Sequence, residues 1–180
     1  MAQAMAELGR PNLLPQFPTV RMDERDIAAA VGNLHAALAS DVSPLERQTR
    51  WLSLLTTLVM RYGADRVALP LAGAEPRAVA EVRAYLEERY AERITLNQLA
   101  AQTSLSPFHL VRVFRRAMGI PPHAYLESVR IRHAQHLLER GEPAATVAYA
   151  TGFASQSHFT ERFRRTIGVT PGRYREMFQG

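Results

Sequence analysis

Two stretches of the chain place arginines beside polar and apolar residues at helical spacing. Phe108, Val111, Arg112 and Arg115 fall at i, i+3, i+4 and i+7, on one side of a helix; Ser157, Thr160, Glu161 and Arg164 repeat that spacing later. Arg112 can fork onto O6 and N7 of guanine, or else meet a phosphate or a surface carboxylate. Phe108 and Val111, outward on this spacing, suit thymine methyl groups; packing of Phe108 on a neighbouring helix is the plain alternative. Gln156, Ser157 and Thr160 are the expected base readers of the second stretch. Glu161 can accept from cytosine N4, pair with an arginine, or weaken that half. Arg115, Arg116, Arg164 and Arg165 suit phosphate positioning.

Other chemistry finds little support. The chain has no cysteine, which excludes disulfides, thiolate zinc sites and a cysteine nucleophile. His133 and His136, three apart on a helix, are a candidate metal pair without a third ligand. His109 and His158 stand at the starts of the two stretches, where helix capping or phosphate contact suits them better than catalysis. No glycine-rich phosphate loop and no nucleophile–base pair stands out. Neither an enzyme nor a cofactor is expected.

The elements that must position these residues read as helices. Strand signals are confined to Phe17–Val20 and Val67–Leu69, each beside a proline. Ile27, Val31, Leu34 and Leu38 keep helical spacing after Asp23-Glu24. Ser43-Pro44-Leu45-Glu46 is a capping box; its helix carries Leu45, Leu52, Leu55, Val59 and Tyr62 on one stripe and Trp51, Leu54 and Leu58 on another. Core packing is the first explanation of so broad an apolar face, a dimer seam the second. Residues 63–75 read as a linker. Beyond it, Pro76, a second capping box at Thr95–Gln98, Ser106-Pro107, Pro122, Pro143, Ser155 and Thr170-Pro171 mark helix starts, and Gly119, Gly141 and Gly168 mark stops. About seven helices are expected between 76 and 178.

Length and charge agree with this division. At 180 residues and 47% hydrophobic the chain can bury a core, and 22% charge is too little for a disordered chain. All 22 basic residues are arginine. Residues 1–74 hold 7 arginines and 7 acids, whereas residues 93–180 hold 12 against 5. A neutral part joined to a basic one suggests that only the second meets a polyanion. No apolar run approaches a membrane span of about 20 residues, and no secretory signal is visible, so a cytoplasmic location is expected.

An internal repeat organises the basic half. Ser106–Tyr125 and Ser155–Tyr174 share S-x-x-H-x-x-x-x-F-R-R-x-x-G-x-x-P-x-x-Y at a constant offset of 49 residues. A short helix and a tight turn precede each copy, with Ala148 and Gly152 four apart in one and Ala100 and Ser104 in the other. This is the helix-turn-helix pattern, a small residue at the helix crossing and a permissive residue in the turn; Ser104 departs from the usual glycine. Leu110, Val113, Phe114 and Ala117 are expected inward in the first copy, and Phe159, Phe163 and Ile167 in the second. A long helix from Pro122 to about Arg140 joins the copies, with Leu126, Val129, Ala134, Leu137 and Leu138 available for packing. At 1.5 Å per residue it spans about 28 Å, against roughly 34–36 Å between successive major grooves on one side of a duplex.

The segments LSPFHLVRVFRRAMGIPPHAYL, RIRHAQHLL and VAYATGFASQSHFTERFRRTIGVTPGRYR closely resemble the DNA-binding domain of the AraC/XylS family of bacterial transcription regulators. The resemblance covers residues 76–178. It implies an all-α fold of two helix-turn-helix units joined by one long helix, and two recognition helices in successive major grooves. Residues 1–75 resemble the tail of that family's regulatory and dimerisation domain, without its β-barrel; residues 76–180 are the expected DNA-binding domain. The implied partners are double-stranded DNA and RNA polymerase, in a transcription activator, with a second copy joined through residues 23–62. The alternative is a helical interaction module whose N-terminal helices bind a partner or another copy. The family's DNA-repair relatives need a cysteine methyl acceptor, which this chain lacks.

Overall fold

The computed structural model describes residues 42–62 and 75–179, together with helical positions between 28 and 36. The two strand signals, residues 63–74 of the linker and most of residues 1–41 lie outside the described residues. Within them every regular element is a helix: α1 (Pro44–Tyr62), α2 (Glu75–Glu88), α3 (Leu96–Ala101), α4 (Pro107–Met118), α5 (Pro122–Glu139), α6 (Ala144–Ala150), α7 (Gln156–Ile167) and α8 (Pro171–Glu176). The seven helices expected between 76 and 178 are α2 to α8.

Local chemistry sets the boundaries. The Ser106 and Ser155 hydroxyls each accept the backbone N–H of the histidine three residues on, at 3.2 Å in both cases, and so start α4 and α7. Thr95 and Gln98 close a full capping box on α3. Gly119 and Gly168 end α4 and α7 at φ of 76° and 92°, in the left-handed region that favours glycine.

The units differ in their turns. Gly152 sits at φ 79°, and a Cβ there would meet the Ala91 carbonyl oxygen at 2.6 Å. No other residue fits so close to another backbone. The first unit has one residue fewer between its small crossing residue and its cap, and Ser104 stays out of the positive-φ region. Its turn is held instead by Thr103, whose hydroxyl donates to the Ala100 carbonyl and accepts from the Leu105 N–H. Glycine is therefore not needed there.

Each unit has its own core. Val82, Leu86, Ile94, Leu99, Leu110, Phe114 and Leu126 fill the first; Ile131, Ala134, Leu138, Val147, Phe159 and Phe163 fill the second. Helix α5 belongs to both, giving Leu126 to one and Ile131 to the other. Arg130 lies between them, 6% exposed, donating to the carbonyls of Tyr90 (2.7 Å) and Glu92 (2.9 Å). Its guanidinium also lies over the Phe153 ring, 5.8 Å from the centroid. Burial pushes this guanidinium down to about 10, with Glu127 pulling the other way.

Helix α1 packs against α3, α4 and α5. Leu45 is fully buried in the first unit's core, while Trp51 is half exposed. Ser43 caps the helix through the Glu46 N–H at 3.1 Å. The Glu46 carboxylate, expected to complete a capping box, points instead to Arg162 and Arg50. Of the apolar set nearer the N-terminus, Leu34 is buried and Val31 exposed; Ile27 and Leu38 lie outside the described residues.

Candidate nucleic-acid interface

Helices α4 and α7 repeat each other's amphipathic pattern, but their outward faces meet different surroundings. On α7, Gln156, Ser157, Glu161, Arg164 and Arg165 are exposed and Thr160 is half-buried. With Gly168 and Thr170 they line one open groove of about 850 Å³. Four polar side chains expected to read bases thus stand together, with arginines at the C-terminal end of the helix. Arg165 is held by Glu127 at 2.9 Å, so that phosphate contact has to compete with an ion pair. Phe159 and Phe163 face the core as the spacing predicts; Ile167 is half-buried against it.

On α4 the expectation needs correction. Phe108 and Val111, read as outward contacts for thymine, are 5% and 4% exposed. Val111 belongs to the core cluster that includes Leu45, with Leu52 packed against it. At Val111 the reason is α1, whose Ser53 and Thr56 line a cleft with Val111, Arg112 and Arg115. Phe108 falls three residues before Val111 on the same stripe; α2, α3 and α5 also pack on α4, whose Leu110, Val113 and Phe114 are in the first core. Ala117, expected inward, is exposed. Arg112 is half-buried, with a guanidinium nitrogen 3.3 Å from His109 Nε2. Arg115 and Arg116 are exposed. With Val111 and Gly119 these three arginines line a cleft of about 380 Å³ whose other wall is Ser53 and Thr56 of α1.

The histidines also differ from expectation. Capping at α4 and α7 is done by Ser106 and Ser155; His109 and His158 contribute only their backbone N–H. The His158 ring is engaged within the protein, which removes it from phosphate contact. Its Nε2 accepts from Arg162 at 3.1 Å, its Nδ1 is buried, and the ring meets Phe153 edge-on. Burial and the nearby Arg162 lower its basicity. His133 stacks on Tyr90 with centroids 3.8 Å apart, and His136 leans to Glu139 at 3.4 Å. The two rings thus have separate partners, and among the described residues no three His, Cys, Asp or Glu side chains are grouped to hold a metal.

A buried charge network joins α1, α5 and α7. Arg162, 6% exposed, bonds Glu46 at 2.7 Å and Glu127 at 3.2 Å. Burial alone would raise the Glu46 carboxyl, but Arg162 and Arg50 outweigh it and hold the carboxyl below the usual range. His123, beside this cluster, is pushed down to about 4 by burial against the attraction of Glu46, and its Nδ1 is buried without a hydrogen bond. Sequence reasoning missed the network. The repeat carries a signal for it, because Arg162 occupies the register held by buried Val113 in the first copy. A charge at a core position requires a buried partner.

Comparison with known proteins places this geometry. The helix-turn-helix domain family matches residues 99–177. The chain is 35% identical to the uncharacterized HTH-type transcriptional regulator YbfI of Bacillus subtilis, over 88% of this chain and 57% of that protein. It is 36% identical to the HTH-type transcriptional activator RhaS of Klebsiella pneumoniae, over 56% of this chain and 35% of that one. The chain therefore spans only a third to somewhat over half of these relatives. Among solved structures, the DNA-binding domain of AdpA in complex with a target DNA is 33% identical, with a TM-score of 0.54 over 57% of this chain and 98% of that one. A probable AraC family transcriptional regulator from Rhodopseudomonas palustris is 29% identical, with a TM-score of 0.55 over 58% and 99%.

Proposed function

The chain belongs to the AraC family of helix-turn-helix proteins, and from that membership we propose that it is a sequence-specific DNA-binding regulator of transcription. It places α4 and α7 in successive major grooves of one duplex. The observation that carries this reading is the α7 groove: Gln156, Ser157, Thr160 and Glu161 stand open beside Arg164 and Arg165, on a helix held to its partner unit through α5. Side chains of these types near a helix N-terminus read base edges, and flanking arginines fix the register through phosphates.

In this reading residues 76–180 are the DNA-binding domain and residues 1–75 belong to a regulatory domain. Within the first unit Arg112 reads a base and Arg115 and Arg116 hold phosphates. The name of one relative, the transcriptional activator RhaS, supports an activator; action with RNA polymerase in the cytoplasm, and a second copy joined through residues 23–62, belong to the same proposal. Among the described residues no helix is long and apolar enough to cross a membrane. One relative is the bifunctional transcriptional activator/DNA repair enzyme AdaA of Bacillus subtilis; without cysteine, this chain is assigned the regulatory activity alone.

Selection of duplexes from a random library by the full chain, followed by gel shift on the selected site, tests the reading. A defined site bound at least about 10³-fold above random duplex is expected. Uniform binding to all duplexes would overturn it.

A further inference from the structure

We propose that α1 is an internal competitor for DNA, docked on the reading face of α4, so that the protein as folded here offers one reading element and conceals the other. This rests on the DNA-binding reading above.

Three observations carry it. First, the two units are copies, yet positions 108 and 111 are buried while their counterparts, Ser157 and Thr160, border an open groove. At Val111 the difference lies in α1, which packs on α4 and lines a cleft with Val111, Arg112 and Arg115. A base edge and α1 cannot both occupy the space in front of Val111.

Second, α1 is fastened at one end. Leu45 is buried in the first core, the Gln48 side-chain oxygen accepts the Leu96 N–H at 2.8 Å, and Glu46 pairs with Arg162 of α7. One carboxylate thus ties the covering helix to the second recognition helix, so release of α1 is coupled to both units.

Third, the other end is loosely packed. A cleft of about 380 Å³ separates Ser53 and Thr56 from Arg112, Arg115 and Arg116. The α1 groups lining it are hydroxyls, and the Thr56 hydroxyl already donates to the Leu52 carbonyl of its own helix. Phosphate oxygens are stronger acceptors for guanidinium than neutral hydroxyls are. DNA therefore has an energetic reason to displace this end. If α1 is docked about nine-tenths of the time, two-element affinity is lowered about tenfold.

The test uses the full chain. Because the protein has no cysteine, Val111→Cys gives a single thiol whose maleimide labelling reports exposure of the α4 face. Labelling is compared in that chain, in the same chain carrying Glu46→Gln, and in one cleaved after folding at a protease site inserted within residues 63–74. Affinity for the selected duplex and the length protected from hydroxyl radicals are measured on the matching cysteine-free chains. Release of α1 should speed labelling and raise affinity about tenfold, and should lengthen the protected stretch by one element of roughly 10 bp. Faster labelling with unchanged affinity and footprint would overturn the proposal. So would labelling of the intact chain as fast as that of the cleaved one. If no form binds any duplex specifically, the reading as a DNA-binding protein fails, and this proposal fails with it.

Discussion

Glu46 and Arg162 meet at 2.7 Å in the interior, although 116 positions separate them in the chain. One stands in the first turn of α1 and the other on the second recognition helix. Arg162 shares its guanidinium with Glu127 of α5, and Glu46 also pairs with Arg50 of its own helix. Three helices thus converge on one buried cation. A buried pair of this kind gains little over a well-packed apolar pair, but removing one partner is costly.

Glu46→Gln should lower the free energy of unfolding by roughly 2 kcal/mol, less than for an isolated buried pair because Glu127 remains to Arg162. Urea denaturation followed by circular dichroism measures it. An unchanged midpoint would show that the pair is solvated in solution.

Stability should fall as the solution is acidified from pH 6.5 towards 4. His123 is pushed down to about 4 by burial, so the unfolded chain takes up its proton near pH 6.5 and the folded chain does not. Its contribution is complete above pH 6.5, up to about 3 kcal/mol, and is lost as pH drops through that window. Glu46, held below the usual carboxylate range, acts in the same direction at the acid end. Urea midpoints at pH 7 and pH 4.5 test this, with His123→Phe expected to flatten the dependence. Equal midpoints for the parent protein would contradict the burial of the ring.

Gly152→Ala should cost more stability than Gly119→Ala. Both glycines have positive φ, and each substitution carries about 1 kcal/mol or more of backbone strain. Space is open at Gly119, whereas at Gly152 the new methyl would press on the Ala91 backbone. Thermal melting of the two variants separates strain from contact; equal losses would mean that the Ala91 loop yields freely.

A fragment of residues 76–180 should fold and bind the selected duplex, since both cores apart from Leu45 lie within it. In that fragment Arg112→Ala should cost roughly 1–3 kcal/mol and relax preference at one base pair, while Arg115→Ala should weaken all sequences alike and reduce the salt slope by about one unit. Exchange of these two effects would place the reading face elsewhere on α4.

The selected site should be asymmetric. Phe108, Val111 and Arg112 differ from Ser157, Thr160 and Glu161 at every register; only Arg115 and Arg164 match. The two elements should lie roughly 10 bp apart, and a 5-bp insertion between them should turn one to the far side of the duplex. An inverted repeat, or a site indifferent to the insertion, would contradict one chain with two unlike readers.

Most readings that depended on nearby residues agree with the structure; the Glu46 half of its capping box and the inward Ala117 do not. Ser106, Ser155, Thr95 and the left-handed glycines act within a single turn, so their roles show in sequence. Leu110, Phe114, Phe159 and Phe163 show in the helical period. Val111 failed because the helix packed beside it lies some fifty positions earlier, and no local pattern records such a contact; Phe108, on the same stripe, is likewise buried. Arg162 was overlooked for a related reason. On its own helix it is one more arginine, and only comparison with Val113 in the other copy marks it as buried.

Because α5 gives Leu126 to one core and Ile131 to the other, the spacing between the two readers is set in the interior rather than on the surface. One residue added to α5 would swing the second unit by about 100° and advance it by about 1.5 Å. No operator could follow so skewed a displacement, and one of the two cores would lose its place on the helix. Loops and surface residues can drift through evolution while the interval between half-elements stays fixed. A descendant of this protein can change the bases it reads far more easily than the distance at which it reads them.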